Sequence, residues 1–117
     1  MKGLQPVWLV SDGRVLAAAL HATSRTDRRR GLMGVSTIDQ PLVIEPCNWI
    51  HTLGMKAVID VMYINADNVV IGVNTVKPWR IGPYTRTAVR VIEASAGSLE
   101  RWNIGIGNTV EVRNVEQ

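Results

Sequence analysis

Apolar and polar positions alternate most regularly from residue 58 onward. Val58, Asp60, Met62 and Ile64 fall on one face of an extended chain, apolar except at Asp60, and Ile59, Val61 and Tyr63 fall on the other. A strand apolar on both faces is predicted to be central. Residues 65–68, Asn-Ala-Asp-Asn, then turn the chain, and 69–76 return as its hairpin partner, predicted to lie with it in the middle of the core. Upstream, the Val- and Leu-rich runs 6–10 and 15–20 flank Ser11-Asp12-Gly13-Arg14, where Asp-Gly supplies the positive φ of a tight turn, so they predict an opening hairpin. Residues 41–46 form a short apolar run bounded by Pro41 and Pro46, a pattern that suits an edge strand or one that ends abruptly. Two more strands are predicted over 87–94 and 109–115.

Between these runs the helical signals are brief. Thr23 or Ser24 is placed to cap a two-turn helix with Asp27 in its first turn, and Gly31 interrupts or ends it, leaving Leu32 and Met33 to point inward and Arg28, Arg29 and Arg30 to face water. A one-turn helical piece is expected at 99–102 with Ser98 as its cap. Residues 77–86 hold two prolines, Gly82, Trp79 and Tyr84, and form a long loop of the kind that is either functional or mobile. About seven short strands and one or two short helices predict an all-β fold, a compact β-sandwich or partly open barrel, as a single domain over residues 1–117.

Composition narrows the function classes. At 117 residues, 46% hydrophobic and 20% charged, the chain is expected to fold around one core, and its one cysteine excludes an intrachain disulfide. The net charge of +3 is concentrated in Arg25, Arg28, Arg29 and Arg30. No aromatic residues interleave with them, so no nucleic-acid partner is expected, and a solvated helix face is preferred over a phosphate site. The apolar runs near the amino terminus are too short for a signal-peptide core or a bilayer span, which places the expected location in the cytoplasm.

Candidate chemistry gathers at residues 47–60. Cys47, His51 and Met55 at spacings of four, with His21 upstream, are similar to a soft copper ligand set, but ordinary packing of Cys and Met outweighs that reading, and neither a metal nor another cofactor is expected. Cys47 and His51 as nucleophile and base lack an oxyanion-stabilising turn, and His51 is expected to hydrogen-bond backbone. Asp60 and Glu93 each fall on an apolar strand face, so they are either an acid–base pair for glycosyl hydrolysis, if their strands are neighbours, or separate structural pins, the preferred reading. Asp60 is expected to be buried and to hold the loop at His51 and Thr52. Trp49, Trp79, Tyr84 and Trp102 at one end of the domain would make a platform for a sugar ring or a proline-rich peptide, although burial of two or three of them is expected.

Several blocks in order also resemble a known family. Arg30-Gly31-Leu32-Met33, the loop Cys47-Asn48-Trp49-Ile50-His51-Thr52-Leu53-Gly54-Met55, the strand-opening Asp60, Pro78-Trp79, Glu93-Ala94-Ser95-Ala96-Gly97 and Gly105-Ile106-Gly107-Asn108 are similar to segments of the bacterial and archaeal family called domain of unknown function 192. Val35 departs from the basic residue common there, and Asn108 from aspartate. The resemblance covers roughly residues 15–112 and implies a compact jelly-roll-like β-sandwich with no established activity.

These residues point to a non-catalytic binding module rather than an enzyme, for a small ligand, glycan or protein, using the 47–55 and 77–84 loops. The expected ligand-binding residues are Cys47, Trp49, His51, Thr52, Met55, Asp60, Pro78, Trp79 and Glu93. A glycine-rich phosphate loop is absent, which disfavours a nucleotide. The alternative is a metal- or carboxylate-dependent hydrolase using His51, Asp60 and Glu93.

Overall fold

Asp12 and Gly13 both take positive φ, 50° and 75°, and fold β1 (Gln5–Ser11) onto β2 (Arg14–Ala22) as an antiparallel hairpin. The computed structural model describes residues 4–115. After the hairpin come α1 (Arg25–Arg30), β3 (Leu42–Ile44), β4 (Ile59–Asn65), β5 (Val70–Val76), β6 (Ala88–Ser95), α2 (Ser98–Trp102) and β7 (Glu111–Asn114). The all-β expectation is met: the seven strands make one sheet, in the order β5-β4-β6-β3-β2-β1-β7, that is not closed. Its two edges approach each other at the isolated bridge Val69–Thr109, where the Val70 amide donates to the Asn108 carbonyl at 2.8 Å.

That curl gives the sheet two different apolar faces. On the inner face, Val7 and Leu9 from β1, Ala19, Val43, Met62, Ile64, Val70 and Ile92 pack with Ile104 and Val110, bringing together residues from both ends of the sheet. On the outer face, Ile44, Ile59, Val61, Tyr63, Val76 and Val91 pack against Leu32, Ile50 and Met55 from the long connections. β4 serves both, with six of its seven residues buried, because its alternating side chains feed the two cores in turn.

Several expectations change here. The hairpin partner β5 lies at a sheet edge, with Val73, Asn74 and Thr75 exposed, so β4 alone is central. Conversely β3, expected at an edge or to end abruptly, does stop after three residues but lies inside the sheet, parallel to β2 and antiparallel to β6. Pro41 and Pro46 flank its three residues without interrupting the ladder, so the missing amides are not needed there. Ser24 caps α1 as expected, its hydroxyl accepting from the Asp27 amide at 3.1 Å, and Gly31 ends it at φ 50°. Leu32 is buried, but Met33 is 38% exposed and lies over Gly54 instead of pointing inward. Gly97, not Ser98, is the capping position of α2 and has no side-chain cap of its own.

Candidate ligand-binding site

The 47–55 and 77–84 loops are joined to each other along their length. The Gly82 amide donates to the Ile50 carbonyl, Thr52 N–H to Arg80 O at 2.7 Å, Trp79 N–H to Thr52 O and Thr85 N–H to Asn48 O, and His51 bridges Ile81. Thr52, fully buried, locks this pairing through its side chain: Oγ1 donates to the Lys77 carbonyl at 2.6 Å and accepts from the Arg80 amide at 2.8 Å. Glycine at 82 allows close packing, since a Cβ there would lie 2.8 Å from Ile50 Cδ1 and 3.1 Å from the Tyr63 hydroxyl. Tyr63 ties the strap to β4 by donating to the Pro83 carbonyl at 2.9 Å, and burial pushes its phenol up to about 12.

A strap so fixed presents its aromatic residues outward. Trp49, Trp79 and Tyr84 are 57%, 64% and 60% exposed, contrary to the expectation that most of the aromatic set is core, and Trp102 alone packs on the inner core. Trp49 is nevertheless held: its indole N–H donates to Gly82 O at 2.9 Å, and its ring meets Tyr84 edge to face with centroids 6.4 Å apart. Leu53 and Ile81, at 40% and 64% exposure, extend the apolar surface.

Beside this ledge lies a cavity of about 880 Å³ between α1 and the loop 46–55. Its lining includes Arg25, Arg28, Arg29, Arg30 and Gly31 on one side and Cys47, Trp49, His51 and Met55 on the other, with Glu93 on the sheet beneath. Five of the nine expected residues, Cys47, Trp49, His51, Met55 and Glu93, therefore meet in one place. Thr52 is consumed in the strap, and Pro78 and Trp79 do not line the cavity. The arginines, read from sequence as a solvated face, are exposed at 25, 29 and 30 and half-buried at 28, and they also line the cavity.

Asp60 lies elsewhere. Asp60 pairs with Ala94 and Val61 with Glu93, so the two carboxylates come from neighbouring strands but project from opposite faces of the sheet. An acid–base pair cannot form between them. Asp60 is buried and pins backbone, as expected of a structural carboxylate, but the loop it holds is the start of α2: Oδ2 accepts from the amides of Gly97 at 3.0 Å and Leu99 at 3.2 Å, and Oδ1 from Thr75 Oγ1 at 3.0 Å. The loop at His51 and Thr52 is held instead by Thr52 itself.

Glu93 is 2% exposed, and its Oε1 has no hydrogen-bond partner. Burial raises its carboxyl to about 8, so at neutral pH it carries a proton. Burial also raises the Cys47 thiol above its ordinary value, and the thiol donates to the Trp49 carbonyl at 3.2 Å, which leaves a weak nucleophile at neutral pH. His51 Nδ1 accepts from the Leu53 amide at 3.2 Å, the backbone role expected of it, and His21 is bonded to Glu45 at 3.0 Å, away from the cavity. Among the described residues no three His, Cys, Asp or Glu side chains cluster as a metal site would require.

Known proteins share this fold. A protein of unknown function from Novosphingobium aromaticivorans superposes with a TM-score of 0.75 at 17% identity, over 92% of this chain and 84% of that one. A Sinorhizobium meliloti protein provisionally named a transcription regulator superposes with a TM-score of 0.70, also at 17% identity, over 93% of each chain. UPF0127 proteins of Pyrococcus furiosus and Pyrococcus abyssi are 31% and 34% identical over 62 residues, 53% of this chain, and that match spans about half the length of each relative. Residues 7–112 match the family DUF192, described as "Uncharacterized ACR", and the chain belongs to that family.

Proposed function

We propose that this domain is a non-catalytic binding module whose ligand sits at the mouth of the cavity, between α1 and the paired loops 47–55 and 77–84. The observation that carries the reading is the ledge of Trp49 and Tyr84, both more than half exposed yet oriented by a hydrogen bond and a ring contact, at the edge of a preformed cavity. Large aromatic surfaces left in water yet held in place by such contacts supply contact area with little further ordering. A glycan fits such a ledge, because a pyranose ring offers one apolar face for stacking and hydroxyls for the polar wall. The regulator name of the Sinorhizobium protein lends nothing to this chain, since likeness at 17% identity speaks for the fold alone.

Catalysis lacks support from the same residues. Hydrolysis by paired carboxylates needs two groups flanking one bond, and the sheet separates Asp60 from Glu93. Titration of isotopically labelled protein with neutral and acidic oligosaccharides and with proline-rich peptides tests the binding reading. The expected result is amide shifts at residues 47–55 and 77–84 and movement of the Trp49 indole resonance. Shifts confined to residues outside both loops would remove the siting.

A further inference from the structure

Resting on the binding-module reading, we infer that the cavity takes an acidic sugar, whose hydroxyl is gripped at the floor by Glu93 and whose carboxylate or phosphate is held at the rim by the arginines of α1. Three features of the wall converge on that chemistry.

The first is the floor. Glu93 Oε1 is buried, unpartnered and part of the cavity lining. Gly31 packs against it: a Cβ at that position would stand 3.3 Å from Oε1 and 3.9 Å from Ile44 Cδ1, and the φ of +50° already disfavours any other residue. A buried carboxyl oxygen without a partner is an unsatisfied group, and a ligand hydroxyl reaching Glu93 from the cavity would satisfy it. Being protonated, it offers one donor and one acceptor, the complement of a hydroxyl, and it presents no charge to repel an anion.

The second is the sign of the rim. Arg25, Arg28, Arg29 and Arg30 line the cavity, and Glu93 is the one acidic residue of the lining. Arg28 is held by the carbonyls of Thr23 and Pro46, at 3.3 and 3.2 Å, while Arg25, Arg29 and Arg30 enter no ion pair among the described residues. Guanidinium groups free of carboxylates are suited to bidentate capture of a carboxylate or phosphate. The third is Trp49, which lines the same cavity, meets Tyr84 edge to face and offers an aromatic surface to a sugar ring.

The titratable groups around Glu93 are the Cys47 thiol from the loop, the Tyr63 phenol from β4 and the rim residues His51 and the α1 arginines. With burial as the cause of its raised value, ionisation of Glu93 above about pH 8 turns the floor into an anion and should expel an acidic ligand.

Binding of trigalacturonate and of its fully methyl-esterified form, followed by amide shifts and by Trp fluorescence on the intact chain, tests the inference. The acid is expected to bind about tenfold or more tightly than the ester, a difference that falls with salt and disappears in Arg29→Ser/Arg30→Ser. Glu93→Leu should lose binding, whereas Glu93→Gln should retain it and, unlike the parent, keep it at about pH 9, a rescue that a purely structural Glu93 would not show. Glucose 6-phosphate as competitor identifies the anion: displacement at lower concentration than galacturonate assigns phosphate, displacement at higher concentration assigns carboxylate, and both support an acidic sugar. Equal affinity for acid and ester, with shifts at the two loops, overturns the inference and leaves the binding module standing. Stronger binding of an oligoglutamate peptide than of either sugar overturns it in favour of an acidic protein segment. No response to any sugar overturns the inference and the glycan reading together.

Discussion

Asp60 accepts three hydrogen bonds, from the amides of Gly97 and Leu99 and the hydroxyl of Thr75, while Oε1 of Glu93 accepts none. Deleting the two carboxylates should therefore have opposite consequences. Asp60→Ala strands two amides at the start of α2 and is expected to destabilise the fold by about 1–3 kcal/mol, with Asp60→Asn losing less; unfolding in urea measures both, and an unchanged midpoint for the alanine variant would show that Asp60 is not the pin of that helix. For Glu93 the sign follows from linkage. Its folded value of about 8 lies above the ordinary 4.5, so between those values the folded state keeps a proton that the unfolded state has lost, and stability falls as pH rises through that window. The slope approaches about 1.4 kcal/mol per pH unit. Glu93→Gln removes the titrating group, so the variant should overtake the parent in stability as pH rises towards 8; parallel pH–stability curves for the two proteins would count against a buried neutral acid. That both residues are buried could be read from the sequence, because each interrupts an apolar strand face. Which face each shares could not, since pairing Asp60 with Ala94 rather than Glu93 is a matter of a single register step, and one step reverses the side of the sheet.

At the scale of elements, the long 77–86 loop behaves as an irregular strand laid against 47–55. Its length and its prolines marked it as unusual in the sequence, but the partner was not legible, because the pairing depends on one buried hydroxyl and one glycine and not on any repeating pattern. Thr52→Val keeps the shape and removes both side-chain bonds, leaving the Lys77 carbonyl and the Arg80 amide to find other partners. A loss of about 1–3 kcal/mol is expected, with broadened amide resonances confined to 50–53 and 77–82; a variant with parental stability and unchanged resonances would show that the backbone bonds suffice. Gly82→Ala probes the same joint sterically, since its Cβ must displace Ile50 from 2.8 Å; it is expected to destabilise by about 1–3 kcal/mol and to shift the Trp49 indole resonance through the Gly82 carbonyl. The exposure of Trp49 and Tyr84 was hidden for a related reason. Burial of an aromatic ring is a statistical expectation, and here both rings remain more than half exposed.

At the scale of the whole molecule, β4 connects everything, with Met62 and Ile64 in the inner core, Val61 and Tyr63 in the outer one, β5 and β6 on its flanks and the strap bonded to Tyr63. Its dominance was legible because two interleaved apolar faces over seven residues require burial on both sides. The place of β3 was not, since three residues carry no periodicity and its parallel pairing with β2 is imposed by the connection through α1. From this hierarchy comes an expectation about opening. The inner and outer cores share one strand, so neither can be lost without the other, and the amides of β4 should exchange with solvent only through global unfolding. The strap instead hangs on a few local bonds and on exposed rings, so the amides of Thr52, Trp79, Gly82 and Thr85 should exchange through a smaller opening that leaves the sheet intact. Native-state hydrogen exchange in increasing urea separates the two: the strap amides should show weak denaturant dependence and the β4 amides the full dependence of unfolding. If both sets instead followed one line, the strap would be part of the cooperative core. The cavity wall formed by residues 47–55 would then open only together with the sheet.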